Sequence, residues 1–313
     1  MSTIPVSLII DDGGPVNMFH FHDLKTFHEL LVPPEFAAEF AAVCNRCGIK
    51  GKFSVVPMPA GLGRLDETEN VSQVPAANIR EFIRIVKEQI EPRFSITPEV
   101  LTHYRAYDLK TGNCLHVFED VYFSTLSAEE IADYVGLALT ILSRIGLDPQ
   151  GMTSPWRCGI DNEDNYAAGI GMAFRKVMHR DRCFYFLHSG DDLKKPVLMC
   201  DSEKTGKVVS IPNNTFDAFW DTQNPADALT ATENARKKID RLLAPDGRSG
   251  LVRDLYEQGL PIILISHWQS LFSDGRAIGL KGLEELASRI NKIFGDQVEW
   301  LTFSELANQA APR

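Results

Sequence analysis

Short apolar runs alternate with longer segments of helical periodicity from one end of the chain to the other. "PVSLII" is rich in β-branched residues and predicts a buried strand. "PEFAAEFAAVCNRCG" places Phe36, Phe40, Val43 and Cys47 on one helical face and stops at Gly48. "GKFSVVP" predicts a second strand, and "AANIREFIRIVKEQI" repeats Ile79, Phe82, Ile83, Val86 and Ile90 at helical spacing. "FSITPEVLTH" predicts a weaker third strand, interrupted by Pro98 and ending in Thr102 and His103. Ser127 and Glu130 form a capping box at the head of "SAEEIADYVGLALTILSRIG". "GMTSP", "RCFYFLHS", "GKVVSIP" and "LPIILISH" predict further strands, followed late in the chain by "QVEWL". Helices are predicted in "NEDNYAAGIGMAFRKVMH", from Pro225 to Leu243, and in "GLVRDLYEQG", "GLKGLEELASRINKIFG" and "FSELANQ".

Strands alternating with helices imply right-handed crossovers and a parallel sheet. No Pro/Gly/Ser-rich linker divides the pattern. The expectation is therefore one α/β domain over residues 1–313, a closed (β/α)7-8-type barrel more than an open doubly wound sheet. "GIGMAF" and "GLGRLD" lack the third glycine of a dinucleotide fingerprint. Residues 13 to 33 separate the first strand from its helix, against a usual connection of about 2–6 residues. That segment interleaves Phe19, Phe21 and Phe27 with His20, His22 and His28, and predicts a lid over the barrel mouth. Whether His20 or His22 points into the site or into solvent stays open at this level.

A net charge of −10 argues against nucleic-acid and anionic-membrane partners, which need a basic surface. No apolar run approaches the roughly 20 residues of a membrane span. "MSTIPVSLIIDDGG" has no basic segment ahead of its apolar run, so the expectation is a cytoplasmic protein. The six cysteines are then reduced, and Cys44 and Cys47 read as one face of a helix end, because no second pair exists to complete a zinc site.

The polar chemistry gathers just after the predicted strands. Asp11 and Asp12 end the first, Arg64 follows the second, and His103 ends the third. Ser154, Trp156 and Arg157 follow "GMT", His188 ends "CFYFLH", Asn213 and Asn214 follow "VVSIP", and His267, Trp268 and Gln269 end the strongest strand. In a parallel barrel these positions share one face. Adjacent carboxylates after a buried strand are costly unless something positive meets them. Aspartate and histidine without a phosphate-binding loop point to metal-assisted hydrolysis, in which one carboxylate binds metal and its neighbour acts as base. Trp156, Trp220 and Trp268 are either sugar platforms or core.

"IIDDGGP", "GKFSVVP", "TSPW" and "LISH" resemble, in order, signatures of the polysaccharide deacetylase family. The resemblance implies a distorted (β/α)7-type barrel that removes acetyl groups from sugars, with Asp11 as base, Asp12 as metal ligand and His267 as acid. It implies a divalent metal, zinc by expectation. Thr153 stands where the family has arginine, and Arg157 lies close enough in sequence to replace it. His103 matches a metal-binding histidine, with Tyr107 in the place of its partner; His22, His20 or Asp108 is then the further ligand. Ser154, Trp156, Trp268 and Arg64 are the expected substrate-binding residues, and the expected partner is a carbohydrate or another small molecule. Two rivals remain open: a glycosidase pairing Asp11 or Asp12 with Asp108 or Asp191, and a sugar-binding protein without turnover.

Overall fold

A computed structural model describes residues 3–22, 28–187, 194–223 and 227–312. Its strands are β1 (Ile4–Asp11), β2 (Gly51–Val55), β3 (Phe94–Pro98), β4 (Arg105–Asp108), β5 (Asn113–Phe118), β6 (Gly151–Thr153), β7 (Arg182–Phe186), β8 (Val197–Ser202), β9 (Gly206–Ser210), β10 (Ile262–His267) and β11 (Val298–Trp300). Its helices are α1 (Phe19–His22), α2 (Pro34–Cys47), α3 (Ala76–Ile85), α4 (Glu119–Phe123), α5 (Ala128–Arg144), α6 (Glu163–Ala173), α7 (Ala228–Leu242), α8 (Leu251–Glu257), α9 (Trp268–Phe272), α10 (Ile278–Phe294) and α11 (Phe303–Ala310).

β1 lies between β10 and β2, parallel to both, and β2 continues in parallel to β3. β11 runs beside the first residues of β1. A second sheet has the order β6-β7-β9-β8, with β8 antiparallel at its edge. Isolated parallel bridges, Ile96 to Pro149 and Glu99 to Thr153, join β3 to the β6 border. At the other border the Ile263 N–H donates to Asn214 Oδ1 at 2.9 Å, and Thr215 Oγ1 donates to the Ile263 carbonyl at 3.1 Å.

The expected parallel α/β sheet is present, but its ladder is not continuous. Pro98, Pro149 and Pro212 stand at the borders and have no N–H to extend a ladder. Pro98 also ends β3 early, so Glu99, and not Thr102 or His103, follows that strand. The β4–β5 hairpin and β8 were not anticipated; they are short and largely half-exposed or exposed, and pair antiparallel. The helix expected from Pro225 begins at Ala228, capped by Asp227 accepting the Thr230 N–H; Pro225, His188 and Asp191 lie outside the described residues. Cys44 and Cys47 are both buried on α2, as a helix-end pair.

The alternation of β1 decides where the core sits. Val6, Leu8 and Ile10 face the helices and join the main core. Ile9 faces inward, onto Phe184, Val209, Ile263 and Ile265, and α11 seals that end with Phe303 and Leu306. Toward the C-terminal ends of β1, β2 and β3 the inward positions turn polar: Asp11, Lys52, Ser54, Thr97 and Glu99 are all fully buried. Among the described residues no helix is long and apolar enough to cross a membrane.

β1 and β2 approach so closely at Gly51 that an added Cβ would lie 1.8 Å from the Leu8 carbonyl oxygen. Backbone cannot yield there as a side-chain tip can. Gly51→Ala should therefore lose stability by about 1–3 kcal/mol or more, read as a lower denaturant midpoint in equilibrium unfolding; an unchanged midpoint would show that the two strands can separate freely.

Candidate active site

Three buried layers build the site. The lowest holds Lys52, fully enclosed, which donates to Asp11 Oδ1 and, at 2.7 Å, to Thr153 Oγ1. Thr153 in turn hydrogen-bonds Thr97 at 2.8 Å, and the Lys52 ammonium sits 5.0 Å above the Phe186 ring. A lysine inside a sheet is tolerated only with a paired carboxylate.

The middle layer is Asp12, Glu99 and His103, whose ligand atoms all lie within 4.8 Å of one another. His103 Nε2 is 2.7 Å from Asp12 Oδ1 and 3.3 Å from Glu99 Oε1. Neither oxygen has a hydrogen-bond partner in proper geometry among the described residues, so the approaches fall off the N–H direction. The remaining oxygens are engaged. Glu99 Oε2 accepts from the Asp12 amide and from Ser54 Oγ, each at 2.6 Å, and Asp12 Oδ2 accepts from Gln269 Nε2. Burial works against the Asp12 carboxylate, but the charges of His103 and His267 and the Gln269 hydrogen bond hold its pKa below the usual range. Burial likewise opposes protonation of His103, and the Asp12 and Glu99 charges reverse that, holding its pKa well above the ordinary value.

The backbone is bent to make this cluster. Asp12, His103 and Trp156 have φ of 65°, 48° and 45°, a region that costs L-residues of order 1–3 kcal/mol each and collects at functional sites. Gly13 makes the first bend possible, since a Cβ there would meet the Ser54 carbonyl at 2.0 Å. Glu119 fixes the second. Its carboxylate accepts the N–H groups of Thr102 at 2.9 Å and His103 at 2.8 Å, and the Tyr134 hydroxyl at 2.7 Å. Burial still pushes Glu119 up to about 7.

The third part is His267, whose Cα is paired in register with that of Asp11 on the neighbouring strand. Its Nδ1 lies 2.8 Å from Asp217 Oδ2. Burial alone would lower the pKa of His267, but the Asp217 hydrogen bond and the charges of Asp12, Asp217 and Asp11 raise it to about 9.

The described parts of the long connection fold against the site; Phe27 lies outside the described residues. The Asn17 N–H donates to Leu30 O at 2.8 Å and the Val32 N–H to Pro15 O at 3.1 Å, tying its two arms together. His22 stacks on His103 at 5.0 Å between ring centroids and meets Trp156 edge-on at 4.9 Å. Its Nε2 donates to the His103 carbonyl at 2.8 Å, so it supports His103 and is not one of the converging groups. Burial and the neighbouring His103 hold it near 4, neutral at physiological pH. His20 points away, with Nδ1 on the His28 carbonyl at 2.8 Å.

Several expected site residues stand elsewhere. Trp268 is fully enclosed among Phe36, Phe40 and Phe53 and donates to the Gly14 carbonyl, so it is core and presents no face to a substrate. Arg157 is exposed and paired with Asp161 at 2.9 Å; the cation beside Asp11 comes from Lys52. Arg64 chelates Asp66, and Ser154 is buried against the Tyr166 hydroxyl at 2.6 Å. Asp108 is spent on Lys110 and Thr111 in the β4–β5 turn. Tyr107 is on β4, and the residue meeting His103 is Glu99, four positions before it and not four after. Trp156 stays beside the cluster, half-buried, 4.7 Å from the His103 ring. Trp220, a platform candidate, is 40% exposed and edge-on to His267 at 4.7 Å.

Sequence reasoning missed Lys52, Glu99, Glu119 and Asp217, and placed Gln269 after a strand without giving it a role. Two carried a signal: Lys52 interrupts an apolar strand, and Glu99 precedes His103 in "EVLTH". Asp217 and Glu119 carried none.

No protein-family model matches the chain, and no curated protein does. The fold is similar to the crystal structure of a probable polysaccharide deacetylase from Pseudomonas aeruginosa, with a TM-score of 0.50, 13% identity, and 99% of this chain and 92% of that one covered. An allantoinase structure aligns with a TM-score of 0.49 at 14% identity, over 99% of this chain and 92% of that one. A lactam utilization protein from Thermus thermophilus aligns at 0.42 and 12%, over 96% and 100%. At such identities the likeness is one of fold, and at that level the resemblance to polysaccharide deacetylases holds.

The His267–Asp217 pair has a testable pH signature. Because the folded value lies above the ordinary 6.5, the charged pair stabilises the fold fully below about 6.5 and is lost as pH rises through about 9. Asp217→Asn should move the His267 titration downward, followed by NMR on chelator-treated protein. A midpoint still near 9 would assign the charge to another partner.

Proposed function

We propose that this chain is a metal-dependent hydrolase that removes an acetyl group from a carbohydrate-type substrate, working as one domain with a distorted barrel of parallel strands. The observation that carries this reading is the convergence of Asp12 Oδ1, Glu99 Oε1 and His103 Nε2, buried and outside hydrogen-bond geometry, between two ion pairs. The charge pattern fits. Lys52 matches Asp11 and His267 matches Asp217, which leaves two carboxylates against one imidazole. Asp12, Glu99 and His103 would hold a divalent ion there, whose chemistry is polarisation of a carbonyl and acidification of water.

The chain's own residues supply the rest. Asp11, oriented by Lys52, takes the proton as water adds to the acyl carbon. His267, charged at neutral pH and aligned by Asp217, gives a proton to the departing amine or alcohol as its bond to that carbon breaks. Trp156 and Trp220, one beside His103 and one beside His267, offer ring faces suited to the apolar side of a sugar.

The test is metal analysis by mass spectrometry together with acetate release from a panel of acetylated sugars. Asp12→Asn and His103→Ala should each lower metal stoichiometry. His267→Gln should keep the metal and lose about 10²–10⁴ in rate. A wild-type protein that takes up no divalent ion on reconstitution would sink the metal reading. An unchanged rate in His267→Gln would remove the acid role.

A further inference from the structure

Resting on that reading, we propose that the cluster selects an oxygen-loving divalent ion of the manganese class, and that Glu99 sets the preference. His22, the imidazole stacked on His103, is turned onto the His103 carbonyl, so the converging donors are two carboxylate oxygens and a single nitrogen. Carboxylate oxygen favours harder ions such as magnesium and manganese, whereas imidazole nitrogen favours zinc and its neighbours. The zinc expectation drawn from family resemblance assumed more nitrogen than this site presents.

Glu99 is built for the task and is not a surface acid that happens to lie near. It is fully buried, and its Oε2 is fixed by the Asp12 amide and the Ser54 hydroxyl. Oε1 therefore has one direction available, toward His103 Nε2 and Asp12 Oδ1, and it has no hydrogen-bond partner among the described residues. Asp12 Oδ1 is buried in the same way, 2.7 Å from His103 Nε2 but outside hydrogen-bond geometry. A carboxylate anchored through one oxygen is a one-oxygen ligand through the other, contributing charge without widening the site. Its grip on the Asp12 amide also couples the two oxygen donors: moving Glu99 releases the turn that aims Asp12.

The measurement uses the full chain stripped with a chelator. Manganese(II) binding is read by electron paramagnetic resonance of the free ion, and zinc(II) binding by competition with a chromophoric chelator. The expected result is one manganese bound per chain, and a zinc-to-manganese preference that rises by at least about tenfold in Glu99→His. Glu99→Gln, which keeps the shape and removes the charge, should lose manganese while its thermal unfolding stays cooperative. Zinc binding that depends on Asp12, with a preference unmoved by Glu99→His, would overturn this inference and leave the hydrolase reading in place. Binding of neither ion would overturn both. If Glu99→His does not fold, an unchanged manganese affinity in folded Glu99→Gln is by itself enough to refute the assignment.

Discussion

The buried ion pair between Lys52 and Asp11 is the constraint on which the site depends. Both side chains are fully enclosed, one on each of two adjacent parallel strands. Removing one partner of such a pair typically costs about 3–5 kcal/mol, because the other is left charged in a poorly solvated interior. The pair links β1 to β2 and, through Thr153, ties both to β6 across a border where the ladder is only an isolated bridge. It also settles the charge of its neighbours. With Asp11 answered from below, the demand for positive charge passes to Asp12 and Glu99 one layer up.

That layer is held from outside by groups that touch nothing reactive. Gly13 lets the Asp12 turn press on β2, Ser54 and the Asp12 amide orient Glu99, and Glu119 pins the Thr102 and His103 amides. Each left-handed residue in the cluster is locked by a hydrogen bond or a close contact from another element. Strain of this kind persists only where the surroundings over-determine it. The connection after β1 adds a roof: it brings the His22 ring over His103 and places Phe19 between His28 and Trp220.

The sequence by itself determined the elements and their kind. Apolar runs and helical spacing marked β1, β2, β10, α2, α5 and α10, because a period of about two or 3.6 has to match the face that is buried. It also determined the chemical region. Asp11, Asp12 and His267 fall at strand ends, His103 lies further on in the loop past β3, and the described parts of the segment after β1 pack on that face. Tertiary structure alone decided the partners. Periodicity gives the face of Lys52 but cannot say that Asp11 waits on the next strand. Pro98 ends β3 early, which moves the strand-end position to Glu99 and makes it, not a second histidine, the group facing His103. Asp217 reaches His267 from 50 residues away, and Glu119 reaches His103 from the far end of a hairpin with no apolar pattern. Trp156 and Trp268 look alike in sequence, yet one lines the site and the other fills the core, because a ring's environment is set by the elements that close around it.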